Sequence, residues 1–271
     1  MKRDKKKLLK IILTGLFLIT ETVLFGVIIR HEFLNEYLAP VRYGTVVLCG
    51  IAALLILVCE RQREGLFLFI AMLFTAGADW FLVVKDESYA LAIGLFFGAQ
   101  VFHFLRLSAA REKGKVISLL IRLLLSLLFA EGVSLVLSEK LLSIIQGENI
   151  IVLLGGLYFI ELLMNTVDAG ILIKRDRRFV MTMVGFILFI LCDISVGLNG
   201  MSGAWGISRE TANFAADMIW VWYLPSQVLI VLSAMRPFPP SHIFFKDDVK
   251  PSLSGGAADA AIHCLPETPD V

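Results

Sequence analysis

Long apolar runs separated by short polar segments dominate the hydrophobicity pattern of the chain. Eight runs have the length of about 20 residues that a helix needs to cross a bilayer. They cover residues 8–29, 41–59, 65–84, 89–110, 116–137, 150–173, 179–198 and 213–235. The predicted fold is therefore all-α, a polytopic membrane bundle of eight transmembrane helices.

The two ends of the chain differ from these runs. Residues 1–7 are basic, and the run that follows is too long for a signal peptide and has no small-residue cleavage site after it. We expect it to be a retained transmembrane helix. Residues 236–271 are rich in proline and acidic at their end, which is typical of a disordered tail. The predicted organisation is a basic amino terminus over 1–7, a membrane domain over 8–235 and a cytoplasmic tail over 236–271.

Composition supports the membrane assignment. Hydrophobic residues make up 58% of the chain and charged residues 18%, against roughly 45–50% apolar residues in soluble domains. The net charge of +1 does not indicate a nucleic-acid-binding protein. The four cysteines show neither CxxC nor metal-ligand spacing, so no metal, cofactor or disulfide framework is predicted.

Basic residues are distributed unevenly between the two sides of the predicted bundle. The amino terminus through Lys10 and the segments after the second, fourth, sixth and eighth runs hold 18 of the 25 lysines and arginines, and the opposite segments, counted with Arg42, hold five. By the positive-inside rule both termini are cytoplasmic. We expect an integral, multi-pass protein of a bacterial plasma membrane, with an oligomeric state that the sequence leaves open.

Two aspartates lie inside the apolar runs. Asp79 and Asp193 are each 14 residues from the start of their runs, which places both about 21 Å from the inner face of the membrane. A carboxyl group in hydrocarbon costs several kcal/mol and usually faces a cavity or a partner. We therefore predict that these two residues form a functional pair in the outer half of the bundle.

Other polar residues in the runs are candidate supporting groups. Those that could bind substrate or assist the aspartates are Glu21, Gln100, His103, Glu131, Tyr223 and Gln227. Glu161, Asn165 and Asp168 share one side of the sixth helix, which indicates a polar interior.

Several of these residues also have plain structural explanations. Asp168 is predicted to pair with the basic loop 174–178, and Asp217 to reach water near the outer surface. Arg106 and Arg122 are expected to extend toward the inner interface. His103 alone is more typical of a hydrogen-bonded core residue than of a ligand.

The helix order suggests a duplication. Glu21, Asp79 and Gln100 recur as Glu131, Asp193 and Gln227 in the corresponding helices of the second half. This is the pattern of a parallel 4+4 repeat, although chance explains it equally well.

Four motifs together resemble a known family. They are Gly77-Ala78-Asp79 followed by Leu82, then 96–103, then Gly185, Phe189 and Cys192-Asp193, then 223–227. In order and spacing they resemble the YhhN family of eight-helix membrane proteins, whose characterised members are lysoplasmalogenases. The resemblance covers helices three to eight. It departs at Gln100 and His103, where the family usually has His then Tyr, and at Cys192, where Ser is usual.

The resemblance implies hydrolysis of the vinyl ether of a lysoplasmalogen. This reaction needs a protonated acid and a nearby anion. Two carboxyl groups in one low-dielectric site supply both, because burial disfavours charge and like charges repel. Asp79 and Asp193 are thus expected to act jointly as acid and as base or cation stabiliser, on a lysophospholipid or ether lipid that enters from the membrane.

Two other classes of protein compete with this interpretation. A transporter or lipid-binding protein would use intramembrane carboxylates to couple protons or cations. A metal-dependent hydrolase would need more histidine ligands than His103 alone.

Overall fold

The computed structural model describes residues 2–30, 37–111, 114–136, 149–200 and 207–235. These residues form eight α-helices, and no strand occurs among them. The helices are α1 (Lys2–Ile29), α2 (Leu38–Glu60), α3 (Arg63–Asp79), α4 (Tyr89–Ala110), α5 (Lys115–Val136), α6 (Asn149–Leu172), α7 (Phe179–Gly200) and α8 (Arg209–Leu232). A π-helical segment over Trp80–Lys85 continues α3. The eight predicted helices are confirmed as helices.

Among the described residues, six helices are long and apolar enough to cross a membrane. They are α1, α2, α3 with its π-helical segment, α4, α7 and α8. Their outer faces expose large apolar side chains such as Leu16, Ile19 and Leu73, as expected of surfaces that contact lipid. The described chain is thus a multi-pass membrane bundle.

Helix packing follows a closed circuit. α2, α3, α4, α6, α7 and α8 each contact the next, and α8 returns to α2. α1 packs on α2 and α8, and α5 packs on α6. We call the end where α2, α4, α6 and α8 begin the outer end, and the opposite end the inner end, following the predicted topology.

Close approach of α7 and α8 depends on Gly185. A Cβ atom at this position would lie 2.7 Å from Ile230 Cγ1 and 3.0 Å from the Ser226 carbonyl oxygen. Small residues at such contacts let helix backbones pack closely in membranes. Gly185 therefore fixes the spacing of two helices that carry candidate site residues.

Some predictions fall outside the part of the chain that the structure describes. These are the side chain of Glu131, the thiol of Cys264 and the tail over 236–271. The basic residues at the amino terminus continue α1 back to Lys2.

Candidate functional site

Asp79 occupies the junction between the α-helical and π-helical parts of α3. Its side chain is only 3% exposed, and the hydroxyl of Tyr223 on α8 donates a hydrogen bond to Oδ2 at 2.5 Å. π-helical turns often occur at functional sites. This change of helix geometry directly after Asp79 was not predicted, because the sequence carries no proline or glycine pair there.

Asp193 on α7 is partly buried and has an equivalent partner. The hydroxyl of Tyr158 on α6 donates to its Oδ2 at 2.6 Å. Tyr158 is not among the candidate residues that the sequence analysis named. Its position on a predicted membrane helix, with a polar tip that needs a partner when buried, was the available signal.

An aromatic cluster connects the two Tyr–Asp pairs. The ring of Phe189 lies 5.4 Å from the ring of Tyr223 and 6.4 Å from that of Tyr158. Phe96 packs on both Phe189 and Tyr158 at 5.9 Å. The two carboxyl groups therefore border the same apolar interior.

Electrostatic interactions also link the two carboxyl groups. Asp79 and Asp193 both interact with the thiol of Cys192 and with the hydroxyl of Tyr158. Since α3 and α7 are separate members of the circuit, only the folded bundle brings these groups to a shared environment.

Glu21 lies beside this group. It is 3% exposed, and the thiol of Cys49 on α2 donates to its Oε1 at 3.6 Å. Cys49 interacts electrostatically with Asp79 as well. Glu21 Oε2 has no hydrogen-bond partner among the described residues. We refer to Glu21, Asp79 and Asp193 as the outer carboxylates.

The outer carboxylates have no cationic partner within the described ranges. Ion pairs there involve other acids, namely Glu60, Glu64, Glu161, Asp168 and Asp176. The partners of the outer carboxylates are two phenol hydroxyls and one thiol. Without a compensating cation, a low-dielectric site favours the neutral form of a carboxyl group, so the arrangement can hold a transferable proton.

Gln100, His103 and Gln227 are buried but make no described hydrogen bond to the outer carboxylates. Gln100 accepts from Asn165 through its side-chain and main-chain oxygens, both at 2.9 Å. Gln227 donates to Ser226 Oγ at 3.3 Å, and the His103 ring packs edge-on against Phe186.

Each of these three residues keeps one buried polar atom without a described partner. The atoms are Gln100 Nε2, His103 Nδ1 and Gln227 Oε1. Buried polar atoms are rarely left unsatisfied. They therefore remain candidates for binding water or a polar group of a substrate, as the sequence analysis expected.

A second polar cluster, the inner ionic network, corrects two predictions. Arg122 is 1% exposed and donates to Glu161 Oε2, and to Asn165 Oδ1 and Asp168 Oδ2 at 2.9 Å each. Asp168 also pairs with Arg111 at 3.0 Å. Arg122 thus does not extend to the interface, and Asp168 pairs with this network instead of the 174–178 loop, because α5 packs against α6.

Arg106 is likewise buried, against the prediction. Its side chain is 0% exposed, and it donates to Ser233 Oγ at 2.8 Å and to Glu64 Oε1 at 3.3 Å. The partners come from α3 and from the end of α8, which the sequence alone could not place together.

The sequence model of the YhhN family matches residues 41–234 of this chain. Searches of curated proteins and of solved structures gave no significant match. The matched range contains both Tyr–Asp pairs and all helices of the closed circuit except the first three residues of α2.

Proposed function

We propose that this chain, which belongs to the YhhN family, is an integral membrane hydrolase that cleaves the vinyl ether bond of lysoplasmalogen-type lipids. The observation that carries the proposal is the pair of carboxyl groups, each hydrogen-bonded to a tyrosine and neither paired with a described cation. A bacterial plasma membrane is the proposed location.

The reaction proceeds through a cation that two carboxyl groups can stabilise. A protonated carboxyl group donates its proton to the β-carbon of the vinyl ether, and the double-bond electrons form the new C–H bond. The adjacent carbon becomes an oxocarbenium centre, as in glycoside hydrolysis. Water attacks this carbon and loses its proton to the other carboxylate.

The resulting hemiacetal then collapses. Its C–O bond to glycerol breaks as the hydroxyl proton is removed and the leaving oxygen is protonated, which yields an aldehyde and a glycerophospho base. Each carboxyl group gains and loses one proton, so the enzyme is regenerated without a cofactor.

The unequal burial of the two aspartates supports an assignment of roles. Asp79 is buried and Asp193 only partly so. Since burial disfavours the charged form, we assign Asp79 as the acid and Asp193 as the base that activates water. Tyr223 and Tyr158 hold the two carboxyl groups in place.

We also propose eight membrane spans, both termini in the cytoplasm and a parallel 4+4 duplication. With α1–α4 matched to α5–α8, the contacts of α3 with α4 and of α4 with α6 correspond to those of α7 with α8 and of α8 with α2. Tyr43 on α2 interacts electrostatically with Asp79, as Tyr158 on α6 does with Asp193. Superposition of residues 8–110 on 116–235 tests the idea, which fails unless the matching helices coincide.

Turnover of a lysoplasmalogen by purified protein in detergent tests the activity. Wild type is expected to release aldehyde, and Asp79→Asn and Asp193→Asn to lose about 10²–10⁴-fold in rate, the usual contribution of general acid–base catalysis. Asp86→Asn, in the loop after the π-helical segment, is the matched control and should keep the wild-type rate.

Absence of aldehyde with wild-type protein, or full activity in either aspartate variant, would contradict the proposal. Proton or cation flux in proteoliposomes that disappears in Asp79→Asn would instead identify a transporter.

A further inference from the structure

A cavity at the outer end of the bundle is lined in part by Trp220, which packs against Tyr223. It has a volume of about 180 Å³ and is lined by residues of α1, α2 and α8. Two opposite charges face it, Arg42 from α2 and Asp217 from α8. Such a volume accommodates several water molecules or one small polar group.

Contacts join this cavity to the proposed reaction centre. The guanidinium of Arg42 stacks over the ring of Trp220, 5.1 Å from its centroid. Trp220 in turn packs edge-on against Tyr223 with the ring centroids 5.4 Å apart. Arg42 is thus two side-chain contacts away from the tyrosine that donates to Asp79.

Arg42 and Asp217 do not form an ion pair with each other. Asp217 interacts electrostatically with Arg42, but within the described ranges neither forms an ion pair at 4 Å or less. Arg42 Nε is buried and lacks a described hydrogen-bond partner. Stacking on Trp220 leaves the N–H edge of the guanidinium available, and this edge suits phosphate.

The spacing fits a glycerophospholipid. Asp217 precedes Tyr223 by six residues, so it lies about 9 Å nearer the outer end of α8. Seven bonds separate the β-carbon of a lysoplasmalogen from its phosphorus, and they span roughly 8 Å when extended. This axial separation along α8 is of the same order as the distance between the phosphate and the vinyl ether of such a lipid.

We propose that this cavity, the head-group cavity, binds the zwitterionic head group of the lipid substrate. Arg42 binds the phosphate, Asp217 binds the amine, and the alkenyl chain extends inward past the outer carboxylates. The inference rests on the proposed function for the identity of the lipid, and it adds the location of the head group and the direction in which the substrate lies.

Binding of lipids that cannot be hydrolysed tests the head-group cavity separately from turnover. The probes share one saturated alkyl chain in ether linkage: lysophosphoethanolamine, its analogue with phosphate alone, and alkylglycerol without phosphate. Isothermal titration in detergent would give the dissociation constants. Glycerophosphoethanolamine, which has no chain, is the fourth probe.

Arg42→Gln is expected to weaken binding of both phosphate-bearing lipids by about 10-fold or more, because it removes hydrogen bonds to a charged group. Binding of alkylglycerol should not change. Asp217→Asn changes an exposed position, where substitution is tolerated. It should weaken the binding of lysophosphoethanolamine alone, by several-fold. Arg209→Gln, an exposed cation at the start of α8, is the control and should bind all probes as wild type does.

An equal loss of affinity for all three lipids in Arg42→Gln would overturn the assignment. Unchanged binding in both Arg42→Gln and Asp217→Asn would overturn it as well. Glycerophosphoethanolamine that binds as tightly as the lipid would also overturn it, since the cavity would then take a soluble phosphate ester. If the expected pattern appears in a protein that releases no aldehyde, the head-group cavity stands and the proposed hydrolysis fails.

Discussion

The outer and inner halves of the bundle both bury carboxyl groups, but they stabilise them in different ways. In the inner ionic network, Glu161 and Asp168 meet the guanidinium of Arg122. In the outer half, Asp79 and Asp193 meet only the hydroxyls of Tyr223 and Tyr158 among described residues. The inner acids thus pair with a cation, whereas the described partners of the outer acids are hydroxyl groups.

This difference separates structural acids from candidate catalytic ones. A buried ion pair costs much of its Coulombic gain in desolvation, yet removing one partner is strongly destabilising. A carboxyl group without a cation is costly in a membrane and by default indicates a candidate functional site. Burial and depth alone do not distinguish the two kinds of acid, and the partner does.

The largest expected effect is on stability, from loss of the cation of the inner ionic network. Arg122→Gln leaves Glu161 without its cation and should lower the free energy of unfolding by about 3–5 kcal/mol. The thermal unfolding midpoint in detergent measures the change. The exposed Arg209→Gln is the control, and adding Glu161→Gln to Arg122→Gln should recover part of the loss. A midpoint equal to that of wild type would show that the network is not structural.

Substitution of the buried acids should show the clearest difference in stability between the two halves. Asp168→Asn should lower the free energy of unfolding by about 1.5–3 kcal/mol, since it weakens hydrogen bonds to two arginines. Asp79→Asn should leave stability within about 0.5 kcal/mol of wild type, because no described cation loses its partner, while turnover falls by about 10²–10⁴-fold. Equal destabilisation by both variants would remove the distinction between the halves.

Separating α7 from α8 should affect both stability and the site. Gly185→Ala places a Cβ atom 2.7 Å from Ile230 Cγ1, and such overpacking costs about 1–3 kcal/mol. Turnover per folded molecule should fall too, since Tyr223 and Asp193 lie on these helices. Gly197→Ala, which meets nothing within 4 Å, is the matched control on α7. If both variants lose stability and turnover, the effect belongs to α7 in general and not to the contact of Gly185 with α8.

Removal of the tyrosine hydroxyls is expected to change stability only modestly. Tyr223→Phe and Tyr158→Phe each remove one hydrogen bond, worth about 0.5–1.5 kcal/mol. Turnover should fall about 10-fold or more, because the carboxyl group loses the donor that orients it. Tyr37→Phe, at a position 69% exposed, should change neither quantity. Wild-type turnover in both buried variants would exclude the tyrosines from the mechanism.

Much of the architecture was already determined by the sequence. Each apolar run is long enough for a spanning helix, and backbone polar groups in hydrocarbon can be satisfied only by such helices. The same argument identified Asp79 and Asp193, since a carboxyl group inside an apolar run is costly wherever the helix packs. These properties are local to one segment, so the sequence is sufficient to predict them.

Partners depend on contacts between segments distant in the chain. Asp79 and Tyr223 are 144 residues apart, and Arg122 and Asp168 are 46 apart. Depth calculated along a helix says how far a residue lies from the membrane surface, but not which neighbour its side chain faces. For this reason the sequence assigned Arg122 to the interface and did not identify Tyr158 as a partner of Asp193. Only the packing of α5 on α6, of α6 on α7 and of α3 near α8 decided which carboxyl groups have a cation and which have a hydroxyl.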